Sequence, residues 1–446
     1  MKSGASSLAE GPPGAPHAPA ADASRLPGLA RILDPAEVAS AGSVTQDVSS
    51  SSRPVDPGAM LERVLPYLAD YGITRVAELT HLDRLALPVH TAYKPMGRSL
   101  SSGSGKGLTA TQSKLGAVIE AIEQTYWEQA SLPTVRGSQD DLERMGLVVA
   151  DGADLVKYRG AIWHPSLCVD WTPMHDLATG EEVWVPVDLV TVPRRGERQG
   201  MAGAVAFMSG TNGLAGGYHV ADALVAAVTE VFERDAVTIA KLSLVGRVDA
   251  PGLVARVGGD VAPYVAYLES RHLELGLIDA TNESGLPTYI ALLWDLENRR
   301  VGTFGGYGTG FDEHRALVRA ITEAVQSRGL ITAGARDDVL ATERRAALRR
   351  TSNEAPPKSS QTQAPVHPVR TPADSITALE ELVAAAARCG CGRVLVMRHS
   401  APGDPAQVVR AVIPGLEGYL FPGYGPGRRA RAAMAAGNRA AAAAQP

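Results

Sequence analysis

Three short motifs each set two oxygen-bearing side chains three residues apart: Glu120-Ala-Ile-Glu123, Glu230-Val-Phe-Glu233-Arg234 and Glu323-Ala-Val-Gln326. On a helix that spacing puts both members on one face, so each motif projects two oxygen donors in one direction. The neighbours are apolar: Val118, Ile119 and Ile122 around the first pair, Val228, Val231 and Phe232 around the second. Carboxylates turned toward a core are costly unless a positive group meets them. Mg²⁺ suits such acids, because it prefers hard oxygen donors and binds a few carboxylates together with substrate phosphates. The residues alone leave two readings open, a solvated helix face in each case or a metal and nucleotide site.

The motifs need helices to carry them, and apolar residues recur at helical spacing over residues 115–127, 221–242 and 315–328. Two of these helices follow small-residue segments. Ser101-Ser-Gly-Ser-Gly-Lys106-Gly107 precedes the first, and Ser209-Gly-Thr-Asn212-Gly-Leu-Ala-Gly-Gly217 precedes the second. In the first segment the backbone amides could form an anion-binding turn with Lys106 adding a point charge; a flexible surface loop is the other reading. It is no Walker A loop, since Gly107 follows the lysine where Ser or Thr is required. Residues 72–79 and 183–186 read as short strands, 376–388 as a helix and 393–397 as a strand.

Composition bounds the rest. The chain has 446 residues, 45% of them hydrophobic, enough for a sizeable core. With 48 acidic against 43 basic residues, a net charge of -5 argues against a nucleic-acid partner held through phosphates. Three cysteines, Cys168, Cys389 and Cys391, are too few for a disulfide framework or an all-cysteine zinc site. There is neither an apolar run long enough for a membrane span nor a secretory h-region, so a cytoplasmic protein with no membrane partner is expected.

Composition also divides the chain. Residues 1–55 read as a disordered Ala/Pro/Ser-rich extension, interrupted by the amphipathic Leu29-Ala-Arg-Ile-Leu33. Residues 56–350 read as an enzyme-like core, 351–375 as a Pro-rich linker or loop, 376–427 as a small αβ unit completing the domain, and 428–446 as an Ala/Arg-rich tail. Arg428-Arg429-Ala-Arg431 reads as solvated, His164 and His175 as structural or exposed, and Cys168 as a buried packing residue.

Over most of residues 72–340 the chain resembles the YcaO-domain proteins. Gly72-Ile-Thr-Arg-Val76 and Leu82-Asp-Arg-Leu-Ala-Leu-Pro-Val89 look like the family's opening stretch. Ser104-Gly-Lys106-Gly107 resembles its SxGKG-like element, and Glu120 and Glu123 fall at the two acids of its SxxxExxER motif. Asn212-Gly-Leu-Ala215 with residues 230–236, and Glu323-Ala-Val-Gln326-Ser-Arg328 with Gly334-Ala-Arg-Asp-Asp338, resemble the later blocks.

The resemblance implies an α+β fold, a YcaO-like mixed α/β core with ATP and Mg²⁺ between acid-bearing helices. It also implies modification of backbone amides in a ribosomally made precursor peptide. A nucleophile adds to the amide carbonyl, ATP phosphorylates the resulting oxygen, and loss of phosphate completes the exchange. By the same carry-over Glu120, Glu123, Glu230 and Glu233 hold Mg²⁺, and Glu230, Glu233 and Arg234 are catalytic. Lys106, Asn212, Glu323, Gln326 and Arg328 then bind the nucleotide.

Gly116, Gln124 and Gly310 depart from the pattern, which has Ser, Arg and commonly His there. The chain ends Gln445-Pro446 without the Pro-x-Pro-x-Pro tail of many ring-forming members. Its opening block and Val412-Ile-Pro-Gly-Leu-Glu-Gly418 look more like members that install thioamides with a TfuA-type partner. Thioamidation is therefore the first expectation, with azoline or macroamidine formation as the alternatives and self-association as a homodimer among the partner expectations. A non-catalytic peptide- or partner-binding homologue is the contrasting class.

Overall fold

Thr109 opens the first acid-bearing helix, α1 (Ala110–Gln129), with a reciprocal cap: its hydroxyl accepts the Gln112 N–H, and the Gln112 side chain accepts the Thr109 N–H. The second helix, α2, spans Val220–Ser243. Asp312 caps the third, α3 (Glu313–Thr332), by accepting the Arg315 N–H at 2.9 Å. This computed structural model describes residues 25–34, 36–37, 56–192, 206–243, 250–257, 259, 261–298, 302–335, 371–421 and 423–443. The rest of the expected 1–55 extension, residues 351–370 of the expected linker, and Arg336, Asp337 and Asp338 lie outside the described residues.

Each acid-bearing helix packs on an antiparallel sheet. Strands β1 (Arg75–Glu78), β2 (Val89–Tyr93) and β3 (Ser102–Lys106) pair in that order beneath α1. The central sheet runs β4 (Val135–Gly137), β5 (Val169–Asp176), β11 (Leu395–Arg398), β12 (Gln407–Val412), β7 (Leu214–Gly217), with β6 (Glu182–Pro186) paired to β5. Helix α2 covers β12 and β7. The third sheet, β10 (Thr303–Thr309), β9 (Thr288–Asp295) and β8 (Leu273–Asp279), carries α3. Helices laid on antiparallel sheets make an α+β fold, as expected.

The first glycine-rich segment is a strand over Ser102–Lys106 and the second over Leu214–Gly217, and the glycines of β3 and β10 answer to helix–strand distance. A Cβ on Gly105 would lie 1.8 Å from the Ser113 carbonyl oxygen, and one on Gly103 2.5 Å from the Ala121 nitrogen, both in the α1 backbone. On β10, Cβ atoms at Gly306 and Gly308 would come within 2.2 and 2.0 Å of the Ala320 and Ala316 oxygens of α3. The facing helix residues are small as well, Ala117 and Ala121 on α1, Ala316, Ala320 and Ala324 on α3, so backbone packs on backbone. That close seating fixes the height of the acids above their sheets.

The carboxy-terminal elements complete the core. Helix α4 (Ser375–Arg388) packs on α2, burying Ile376, Leu379 and Leu382 beside Val228 and Phe232. The Arg428–Ala443 segment is a helix, α5, lying along α2. Its Arg429 is no solvated tail residue: the guanidinium pairs with the fully buried Asp235 at 3.0 Å and with Glu283 at 2.9 Å. Leu26 and Leu29 of the polar amino-terminal stretch are buried in the same cluster. Among the described residues no helix is long and apolar enough to cross a membrane.

Candidate active site

Lys106, at the end of β3, forms an ion pair with Glu323 of α3. On α2, Arg234 stands between Glu230 and Glu233, 3.5 and 3.4 Å from their carboxylates. The charge of Arg234 is felt at Glu323, and Arg319, one turn before Glu323, acts on both Glu230 and Glu323. Three acids and three cations from β3, α2 and α3 thus form one electrostatic cluster. The α1 acids are held by backbone: Glu120 accepts the Ser104 N–H of β3 at 2.7 Å, and Glu123 accepts the Gly216 N–H of β7. Helix α1 therefore spans the first and central sheets through its two carboxylates.

Burial and neighbouring charge set the protonation of these groups. Burial raises the Glu230 pKa above the ordinary carboxylate value, with Arg234 opposing and Glu233 reinforcing the shift. Burial pushes Glu323 upward too, but Lys106 and then Arg234 outweigh it, and the net shift is downward. Arg234 loses to burial and gains more from Glu233, Glu230 and Glu323, so it stays firmly charged.

The donor set fits Mg²⁺ with a nucleotide better than an ion held by protein alone. Among the described residues no three His, Cys, Asp or Glu side chains gather closely enough to hold a metal ion. Mg²⁺ commonly takes one or two carboxylates, keeps waters and completes its shell with phosphate oxygens, which matches hard oxygen donors spread in pairs with cations interleaved. Asn212 sits in the turn before β7, its Oδ1 buried without a hydrogen-bond partner, an unused acceptor beside the start of the second block. Gly213 makes that turn possible: its φ is +77°, and a Cβ there would meet the Ala411 oxygen at 2.3 Å. Gln326 is half-buried one turn beyond Glu323.

Arg328 does not join the cluster. Its guanidinium is buried against Asp83 and Asp295, both at 2.9 Å, and lies over the Phe304 ring. These contacts tie α3 to the segment before β2 and to the end of β9, so Arg328 clamps the fold apart from the Lys106 and Arg234 cluster. Cys168 is exposed, contrary to the expected buried packing residue. His164 bonds Ser166 in a loop, and His175 lies on β5, its pKa lowered by burial.

The three departures have local reasons. Gly116 faces β3, where a Cβ would lie 3.2 Å from the Gly105 Cα. Gln124 is buried and donates to the Ser102 carbonyl at 3.1 Å, spending its amide on β3. Gly310 has open space around it.

Sequence reasoning missed Arg319, although its i,i+4 spacing to Glu323 was there to be read. It also missed a cationic aromatic edge beside Arg234. Lys241 donates to the Tyr307 hydroxyl at 2.6 Å; Tyr307 and the exposed Tyr419 meet edge-on at 6.4 Å, with the Arg234 guanidinium 5.7 and 5.5 Å from their ring centres. No local motif marks that edge, because its members come from α2, β10 and the segment after β12.

Known proteins share this fold. A protein of Rhizobium leguminosarum bv. trifolii, described as an uncharacterized protein in the tfuA 3′ region, is 29% identical over 387 residues, covering 82% of this chain and 88% of that protein. Among solved structures, a heterocyclase in complex with substrate and cofactor superposes with a TM-score of 0.70 at 19% identity, over 86% of this chain and 55% of the other. The YcaO protein of Methanopyrus kandleri bound with AMPPCP and Mg²⁺ superposes at 0.64 and 21% identity, over 84% of this chain and 95% of the other. The family model described as YcaO cyclodehydratase, ATP- and Mg²⁺-binding, matches residues 104–417, from the strand that carries Lys106 to the end of the central sheet's last crossover. This chain belongs to the YcaO family, and ATP and Mg²⁺ are the cofactors of its site.

Proposed function

We propose that this protein modifies backbone amides of a ribosomally made peptide at the expense of ATP, installing thioamides together with a TfuA-type partner. The observation that carries the proposal is the cluster of Lys106, Arg234 and Arg319 around Glu230, Glu233 and Glu323, which is built to exchange its internal ion pairs for a metal-bound polyphosphate. The relative in the tfuA 3′ region supports the choice of partner and of thioamide chemistry.

Bound Mg²⁺ and ATP supply the charge-shielded phosphoryl group that turns the amide oxygen into a leaving group. Glu120, Glu123, Glu230 and Glu233 are the metal donors in this reading. Lys106, Asn212, Glu323 and Gln326 orient the nucleotide. With Glu230 and Glu233 as donors to the metal, Arg234 between them would be free to face phosphate and transition-state charge, the kind of gain that a positioned, buried cation gives. Tyr307 and Tyr419 offer an aromatic edge beside Arg234 against which the peptide lies.

The test combines the protein with ATP, Mg²⁺, sulfide, a candidate precursor peptide and the partner, reading ADP and peptide mass. A gain equal to sulfur minus oxygen per amide supports the proposal. Loss of one water instead would favour azoline formation, the second reading, for which the likeness to a heterocyclase fold speaks. Absence of both ADP and nucleotide binding would reject the enzyme and leave a peptide-binding homologue.

A further inference from the structure

Arg410 of β12 is a buried cation that the ion pairs above do not use; only 3% of its surface is exposed. One terminal nitrogen donates to the Leu189 carbonyl, while Nε and the other terminal nitrogen are buried with no hydrogen-bond partner among the described residues. Beside them lies a partly open pocket of about 50 Å³, lined also by Leu189, Met208, Asn212, Val231 and Glu417, with the exposed Asp154 among its remaining lining residues. Asn212 brings a second unpartnered buried atom to that wall, and its amide can present either oxygen or NH₂. Glu417 does not answer the guanidinium, because its carboxylate takes the Tyr424 hydroxyl and the N–H groups of Gly427 and Ala430. The carboxylate whose field reaches Arg410 is Glu230.

Glu230 acts on Arg410 only through its field, and were its carboxylate given to a metal, Arg410 would keep a buried charge that is costly unless an anion came with the ion. Mg²⁺·ATP brings such an anion. The pocket is small and carries the Arg410 guanidinium and Asn212 on its wall, so the end of the triphosphate, a single phosphoryl group, is the part of the nucleotide that matches it. We propose that Arg410, with Asn212, holds the terminal phosphoryl group of the nucleotide, as the γ-phosphate of ATP before transfer and as orthophosphate after it. Charge-assisted bonds from a guanidinium are well matched to this task. The inference rests on ATP and Mg²⁺ as cofactors and is independent of which amide chemistry follows.

Calorimetric titration of Arg410→Met and Arg410→Lys with Mg²⁺ and a non-hydrolysable ATP analogue, against ADP, tests it without peptide or turnover. Arg410→Met should weaken the analogue by about thirtyfold and ADP by less than about threefold, with Arg410→Lys between the unaltered protein and the Met variant. Orthophosphate added with Mg²⁺·ADP should raise the melting temperature of the unaltered protein and of neither variant, which reports the product-bound form. Equal losses for analogue and ADP, no loss for either, or failure of the unaltered protein to bind the analogue would overturn the assignment. Should the Met variant not fold, the Lys variant decides alone, because an Arg410 that merely anchors Leu189 would change analogue and ADP affinity together.

Discussion

Glu230 is the residue on which the site's charge balance turns. It answers Arg234, feels Arg319 and Arg410, and has its pKa raised by burial. Glu230→Gln should leave the fold intact and cut Mg²⁺-dependent ADP formation by at least about a hundredfold, since a lost metal donor raises the barrier by several kcal/mol. Unchanged ADP formation would remove the metal assignment. His399 gives a second prediction. Burial, with Arg410 adding to it, lowers its pKa from 6.5 to about 4. The unfolded chain then binds the proton more readily, so stability rises with pH across that window and is lost as pH falls from 6.5 toward about 4, by about 3 kcal/mol in full. His399→Gln should remove that part of the acid sensitivity in melting curves taken across the window. The acid pairs of the proposed site were legible in sequence because i,i+3 spacing survives into the helix unchanged. The clamp that Arg328 forms was not legible, because its partners, Asp83 and Asp295, are distant in sequence and a motif position says nothing of who reaches it.

At the scale of elements, the recurring unit is a glycine-bearing strand under an acid-bearing helix. The helices were readable from apolar spacing to within a few residues at each end. The strands under α1 and α2 were not, because Ser-Gly-Ser-Gly-Lys and Leu-Ala-Gly-Gly lack the β-branched and aromatic residues that mark a strand, and glycine is conformationally neutral. What makes them strands is ladder pairing with β2 and β12, and what makes them glycine is the helix pressed on them. Gly105→Ala should therefore cost at least about 2 kcal/mol and lower Mg²⁺·ATP affinity by displacing Lys106 and α1. Gly310→His, in open space, should leave the melting temperature within a degree or two, about ±0.5 kcal/mol. A stable Gly105→Ala variant would show that strand and helix can separate without consequence.

The whole molecule is closed from its far end. Helix α5 returns to α2 and puts Arg429 against Asp235, two residues after Glu233, so the carboxy-terminal segment braces the helix that carries the second acidic pair. Composition gave no sign of this, since an Ala/Arg run is the same whether solvated or docked, and the deciding partner is one buried carboxylate far upstream. Arg429→Met should destabilise the fold by about 3–5 kcal/mol by stranding Asp235, and Asp235→Asn in the same chain should recover part of the loss in denaturant melts. The account as a whole says that the site spends ATP on an amide oxygen. Its most direct test is a precursor peptide carrying oxygen-18 in the target amide carbonyl, modified with Mg²⁺, ATP, sulfide and the partner, followed by mass analysis of the released orthophosphate. One oxygen-18 in the phosphate for each amide modified is the predicted result; modified peptide formed alongside unlabelled phosphate would contradict it.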